Sequence, residues 1–134
     1  MKKIYETSII NTGGRSGEVY SPDKSFSYEV VSPGIKKEHT TNPEQLFAAA
    51  YSACFNSALE VVMAKEGIKS KSTVTARVSL YSASKEDFQV AVQLEVKIDD
   101  VEKIQAEELV AKAHEVCPYS KATRNNIDVE LIVV

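Results

Sequence analysis

The sequence predicts an α+β domain: strands, a long helix, a hairpin, a second helix and a closing strand. Three observations lead there. Residues 44 to 62, "EQLFAAAYSACFNSALEVV", are apolar at helical spacing. Two runs with alternating polarity follow, "TVTARVSL" and "FQVAVQLEVKI". A second helical pattern, "VEKIQAEELVAKAHEV", then ends against Pro118, which lacks the amide donor a continuing helix needs.

In chain order, the first third reads as strands and turns. "KIYETSII" leads into "NTGGRSG", whose glycines admit backbone angles closed to other residues. "EVY" and "SFSYEVV" flank the turn signal "SPDK" and predict a hairpin. "SPGIKKEHTTN" is a polar connection without periodicity. The long helix has a marked entry: Asn42 as N-cap, Pro43 at the first helical position, and Glu44 in the first turn, facing the positive end of the dipole. Its apolar stripe is expected at Phe47, Ala50, Cys54, Ala58 and Val61, with Gly67 as the stop.

The alternating runs suit an antiparallel hairpin with one face buried, Val74, Ala76, Val78 and Leu80 on one strand and Phe88 to Ile98 on the other. Ala106, Val110, Ala113 and Cys117 form the stripe of the second helix, and "IDVELIVV" closes the chain as a strand. No repeat or linker interrupts this order, so residues 1–134 are expected to form a single domain.

Composition excludes some functions. The chain has 134 residues, 43% hydrophobic and 26% charged, enough for a real core. A formal net charge of -3 gives no footprint for nucleic acid or an anionic membrane. No segment is expected to provide the run of about 20 apolar residues that spans a bilayer. Glu6, Thr7 and Ser8 break up the N-terminus as a signal peptide, so a cytoplasmic protein is expected. There, two cysteines are free thiols, metal ligands or redox-active groups rather than a permanent staple.

Cys54 and Cys117 sit on the stripes of different helices, so packing on one sheet could bring them together. Both could equally be small core residues. A disulfide between them would close a 63-residue loop, about 4 kcal/mol in the chain-entropy model, a term that favours neither a structural nor a chemical role. His39 and His114 do not fall at zinc-ligand spacings around the cysteines, and no phosphate loop, dinucleotide fingerprint or serine elbow is present, so no metal or cofactor is expected. A reactive thiol must ionise, which an apolar helix opposes. The cation on offer is Arg15 in "GGRSG", although a solvated loop arginine would have the same sequence. Glu44 could likewise serve only the helix dipole.

"GGRSG", "TNPEQLFAAAYSACF" and "VCPYSKATRNNIDV", in this order, closely resemble the organic hydroperoxide resistance (Ohr) family of the OsmC-like superfamily. The resemblance spans nearly the whole chain. It implies an OsmC-like fold, antiparallel sheets around a long central helix, in an intertwined homodimer with active sites at the subunit interface. It also implies a thiol-dependent peroxidase of organic hydroperoxides, with Cys54 peroxidatic, Cys117 resolving, and Arg15 and Glu44 completing the site. The reductant implied is a dithiol, a protein-bound dihydrolipoyl group.

Glu44 and Cys54 lie ten residues apart on one predicted helix, about 15 Å along its axis. One guanidinium cannot touch both, so Arg15 and Glu44 are expected to serve the Cys54 of the partner subunit. Two features depart from the family's pattern: Ala50 stands where a glycine is common, and "GIKKEHT" replaces a glycine-rich loop. The alternatives are a sister OsmC-type peroxidase with another substrate balance, a thiol redox sensor or binding dimer that oxidises without turnover, and a structural module with inert thiols.

Overall fold

In the computed structural model, which describes Met1–Val134, the chain divides into two units, Met1–Leu46 and Phe47–Val134. The first holds a sheet of short strands, β1 (Ile10–Thr12), β2 (Glu18–Tyr20), β3 (Ser27–Val30) and β4 (Thr40–Thr41), paired in that order. The predicted hairpin is β2–β3, antiparallel with Val19 opposite Tyr28. Its turn is tied by Asp23, which accepts from the Ser25 N–H at 3.1 Å and the Ser21 hydroxyl at 2.7 Å. β4 adds to β3 in parallel. Regular structure starts only at Ile10, later than the "KIYETSII" pattern suggests. This chain gives residues 1–9 no strand to pair with, and Ile4 and Tyr5 stay exposed.

The entry of α1 (Pro43–Lys65) follows its sequence signals. Asn42 Oδ1 accepts from the Gln45 N–H at 2.9 Å, an N-cap bond that satisfies an otherwise orphaned donor. At the other end Gly67 takes φ 70°. Its N–H bonds to Ala64 O and that of Ile68 to Met63 O, the paired closure that a left-handed residue permits.

In the second unit the hairpin β5 (Ser72–Ser84) and β6 (Asp87–Ile98) is antiparallel, and β7 (Val129–Val133) joins β6 in parallel. Val92, Leu94, Val96 and Ile98 are buried on one face, as alternation requires. The far end of the hairpin outruns the core, leaving Leu80, Tyr81 and Phe88 exposed. Against that face pack α1 and α2 (Lys103–Val116), the latter through Ala106, Leu109, Val110 and Ala113. Fully burying a side chain such as Leu59 or Leu94 contributes about 2 kcal/mol.

The buried face of α1 is rotated from the expected stripe. Tyr51, Phe55, Ala58, Leu59, Val62 and Met63 are buried, whereas Val61 is exposed and Phe47, Ala50 and Cys54 are half-buried. Alanines surround the whole helix, so its period is ambiguous, and the large side chains choose the inward face. This moves Cys54 from the centre of the core to its flank. The expectation that no segment approaches a membrane span also needs correction: α1 meets the length and, at a mean hydropathy of 1.4, the apolarity of one. Tyr51, Phe55 and Leu59 on this helix are nevertheless fully buried in the core.

Candidate active site

In the first unit, glycine geometry presents Arg15. The 3-10 turn Gly14–Ser16 follows Gly13, whose φ is 80°. A Cβ on Gly17 would run into the Thr12 carbonyl oxygen, so the chain can double back only over a bare Cα. Asn11 fastens the turn, donating from Nδ2 to Glu18 O at 3.0 Å and accepting the Gly14 N–H at 3.2 Å. From this turn Arg15 reaches Glu44 as a fork: Nη1 donates to Oε2 at 2.9 Å and Nη2 to Oε1 at 2.6 Å. The Arg15 side chain is 50% exposed and that of Glu44 16%. The Arg15 hydrogen bonds hold the Glu44 carboxyl below its usual range, against the opposing effect of burial. Two of five guanidinium N–H groups are used, leaving three for another acceptor.

In the second unit the two cysteines meet. Cys117 Sγ donates to Cys54 Sγ at 3.8 Å, and both are free thiols. A disulfide needs about 2.05 Å, so roughly a further 1.8 Å of approach would join them. Cys117 is sealed at 0% exposure and Cys54 is half-buried. Burial pushes the Cys54 thiol up and the Cys117 thiol adds to the rise, while the Tyr119 backbone N–H pulls the other way. Cys54 therefore needs a cation from elsewhere to ionise readily.

Pro118 accounts for the position of Cys117. A residue before proline is driven out of helical geometry, and Cys117 has φ -61°, ψ 122°. α2 ends there, and a short helix, α3 (Pro118–Thr123), starts with Cys117 as its N-cap residue. Behind it lies a buried polar group: Tyr51 OH is 3.0 Å from Ser120 Oγ and 3.1 Å from Thr123 Oγ1, and His114 Nδ1 is 2.8 Å from Ser120 Oγ. A groove of about 500 Å³ in the first unit is lined by Val31, Ile35, Lys37, Thr41 and Gln45 among others, largely the "GIKKEHT" loop and the helix entry. No three His, Cys, Asp or Glu side chains converge as a metal set would require.

The family model described as OsmC-like protein matches residues 36–132. Organic hydroperoxide resistance protein OhrA of Bacillus subtilis (strain 168) is 46% identical over 135 residues, covering 97% of this chain and 96% of the relative. The chain belongs to the organic hydroperoxide resistance family of OsmC-like proteins. Among solved members of that family, OhrB of Bacillus subtilis superposes with a TM-score of 0.88 at 41% identity, covering 97% of this chain and 98% of that one. An organic hydroperoxide resistance protein from Elizabethkingia anophelis gives 0.89 at 44%, covering 99% and 98%. The OsmC-like fold expected from the sequence is thus the fold of this chain, but its sheets are mixed rather than antiparallel, because β4 and β7 each join their neighbour in parallel.

Of the four expected site residues, the structure joins Arg15 to Glu44 and Cys54 to Cys117 as two pairs, one in each unit. Asn11, Tyr51, Ser120 and Thr123 are not among the residues the sequence points to, and His114 enters there only as a zinc ligand excluded by its spacing. Only Tyr51 and Ser120 carried a signal, each three residues from a cysteine inside a quoted motif.

Proposed function

We propose that the protein is a thiol peroxidase that reduces organic hydroperoxides to alcohols, with Cys54 as the attacking thiol and Cys117 as the resolving one. The observation that carries this is the 3.8 Å sulfur contact between one accessible and one sealed cysteine. An attacking group must be reached by substrate, whereas a resolving thiol only has to wait beside it. The substrate class comes from the relatives, which are named for resistance to organic hydroperoxides.

The Cys54 thiolate attacks the distal peroxide oxygen, the O–O bond breaks, and the alkoxide leaves and takes up a proton as alcohol. Cys54 is left as a sulfenic acid. The Cys117 thiol displaces water from it and forms the disulfide before further oxidation. A dithiol, in our proposal a dihydrolipoyl group on a protein, reduces the disulfide by exchange and is itself oxidised to a disulfide.

Arg15 supplies the missing cation, favouring the thiolate and stabilising charge across the breaking O–O bond, while Glu44 orients it. Because Glu44 and Cys54 stand ten residues apart on α1, we place this pair at the Cys54 of a partner subunit, in a homodimer in which each chain works as one domain. A reducing, cytoplasmic setting would keep both cysteines as thiols between turnovers.

Turnover of tert-butyl hydroperoxide with excess dihydrolipoamide tests the proposal. Many equivalents consumed per chain are expected, faster than with hydrogen peroxide. Oxidation that stops after one equivalent, with no recovery on adding the dithiol, would instead indicate a sensor.

A further inference from the structure

The hydroxyl group behind Cys117 has fewer protons than hydrogen bonds. Four contacts run in line: His114 Nδ1 to Ser120 Oγ, Ser120 Oγ to Tyr51 OH, Tyr51 OH to Thr123 Oγ1, and Thr123 Oγ1 to the Ser120 carbonyl at 3.2 Å. Each hydroxyl holds one proton. With Thr123 donating back to the carbonyl three residues earlier, which also accepts the Arg124 N–H at 3.0 Å, Tyr51 donates to Thr123. Ser120 must then donate to Tyr51 and can only accept from His114. Three hydroxyl protons serve three bonds, and the fourth proton must sit on Nδ1. Tyr51 and Ser120 are 0% exposed, and all four contacts are hydrogen bonds at once only with that proton.

Its placement relates it to the thiols. Tyr51 stands three residues before Cys54 on α1, and Ser120 three residues after Cys117 on α3. The chain therefore fastens, about one turn away, the same two elements whose sulfurs must meet. Arg124 Nη2 donates to the His114 carbonyl at 2.6 Å and pins the end of α2 that carries the imidazole. The charged groups facing the ring are Arg124 and Glu115.

We propose that His114, held as the Nδ1–H tautomer, is a positioning residue for disulfide formation: it closes a hydroxyl clamp between α1 and α3 that keeps Cys117 within closing range of the Cys54 sulfenic acid. The consequence for the disulfide rests on the peroxidase proposed above; the tautomer does not. Burial and Arg124 both disfavour the charged ring, so the donor is present in a neutral imidazole.

Long-range nitrogen–proton NMR of the reduced protein is expected to show His114 protonated at Nδ1 and bare at Nε2; the reverse would overturn the proposal whatever the peroxide chemistry. The functional arm compares His114→Ala with His114→Asn, whose amide can donate from close to the Nδ1 position, by mass after one equivalent of tert-butyl hydroperoxide. Losing one buried hydrogen bond should raise the ratio of Cys54 sulfinic acid to disulfide about tenfold in His114→Ala, with His114→Asn restoring it. Equal ratios in wild type and His114→Ala, or no restoration by asparagine, would overturn the positioning role. Should His114→Ala fail to fold, Tyr51→Phe, which keeps the ring and removes two bonds, is expected to raise the ratio instead, and an unchanged ratio would overturn the role equally. A wild type that forms no disulfide at all would count against the peroxidase, and the tautomer would still decide on the clamp.

Discussion

Cys117 touches Cys54 at 3.8 Å, and of the two only Cys54 has a path to solvent. That asymmetry predicts different failures for the two serine variants. Cys54→Ser should lose peroxide reduction outright. Cys117→Ser should react once, then progress to sulfinic acid with excess peroxide because nothing traps the sulfenic acid. Mass spectrometry of each variant after titration with an organic hydroperoxide distinguishes them. Equal inertness would mean that Cys117 is needed for attack rather than for resolution.

Arg15 and Glu44 form a two-bond fork. If the guanidinium stabilises the thiolate and the breaking O–O bond, Arg15→Ala should slow the peroxide step by about 10²-fold or more, as loss of a preorganised donor does elsewhere. Arg15→Lys should recover little, since an ammonium cannot make the fork. Stopped-flow oxidation rates check both.

The subunit arrangement predicts complementation. Mixing Arg15→Ala chains with Cys54→Ser chains should restore turnover, because one heterodimer site then carries a native Arg15, Glu44, Cys54 and Cys117. Confirmed heterodimers without turnover would place the whole site in one chain.

His114 predicts a pH dependence of stability. Its folded pKa lies below the ordinary 6.5, chiefly through burial, so the unfolded chain binds a proton that the native state resists. The contribution is complete above pH 6.5 and is lost as pH falls through the folded pKa. Urea midpoints should therefore drop more for wild type than for His114→Asn between pH 7.5 and 5.

Gly17 backs onto the Thr12 carbonyl with no room for a side chain. Gly17→Ala should destabilise the protein by about 1–3 kcal/mol, an overpacking cost, and reduce activity by displacing Arg15. Denaturant midpoints and peroxide rates, measured together, check this.

Helix ends were legible in the sequence because their signals are local: Asn42 caps, Pro43 starts and Gly67 stops as single-residue chemistry dictates. The inward face of α1 was less legible, since an alanine-rich helix has little period and the facing sheet chooses among its sides. α3 escaped notice because six residues, "PYSKAT", carry too little pattern, although Pro118 marked its start. Arg15 and Glu44 are 29 positions apart, and only the family resemblance joined them before the fold did. His114 entered only as a zinc ligand excluded by its spacing; its partner Ser120 lies beyond a proline break that no periodicity crosses.

Intact mass and free thiols of the reduced protein after one equivalent of an organic hydroperoxide test the central claim most directly. A loss of about 2 Da, with Cys54 and Cys117 both gone from the thiol count and joined in one chain, is predicted. An unchanged mass with two free thiols would contradict it and leave Cys54 as a flank residue of a buried helix.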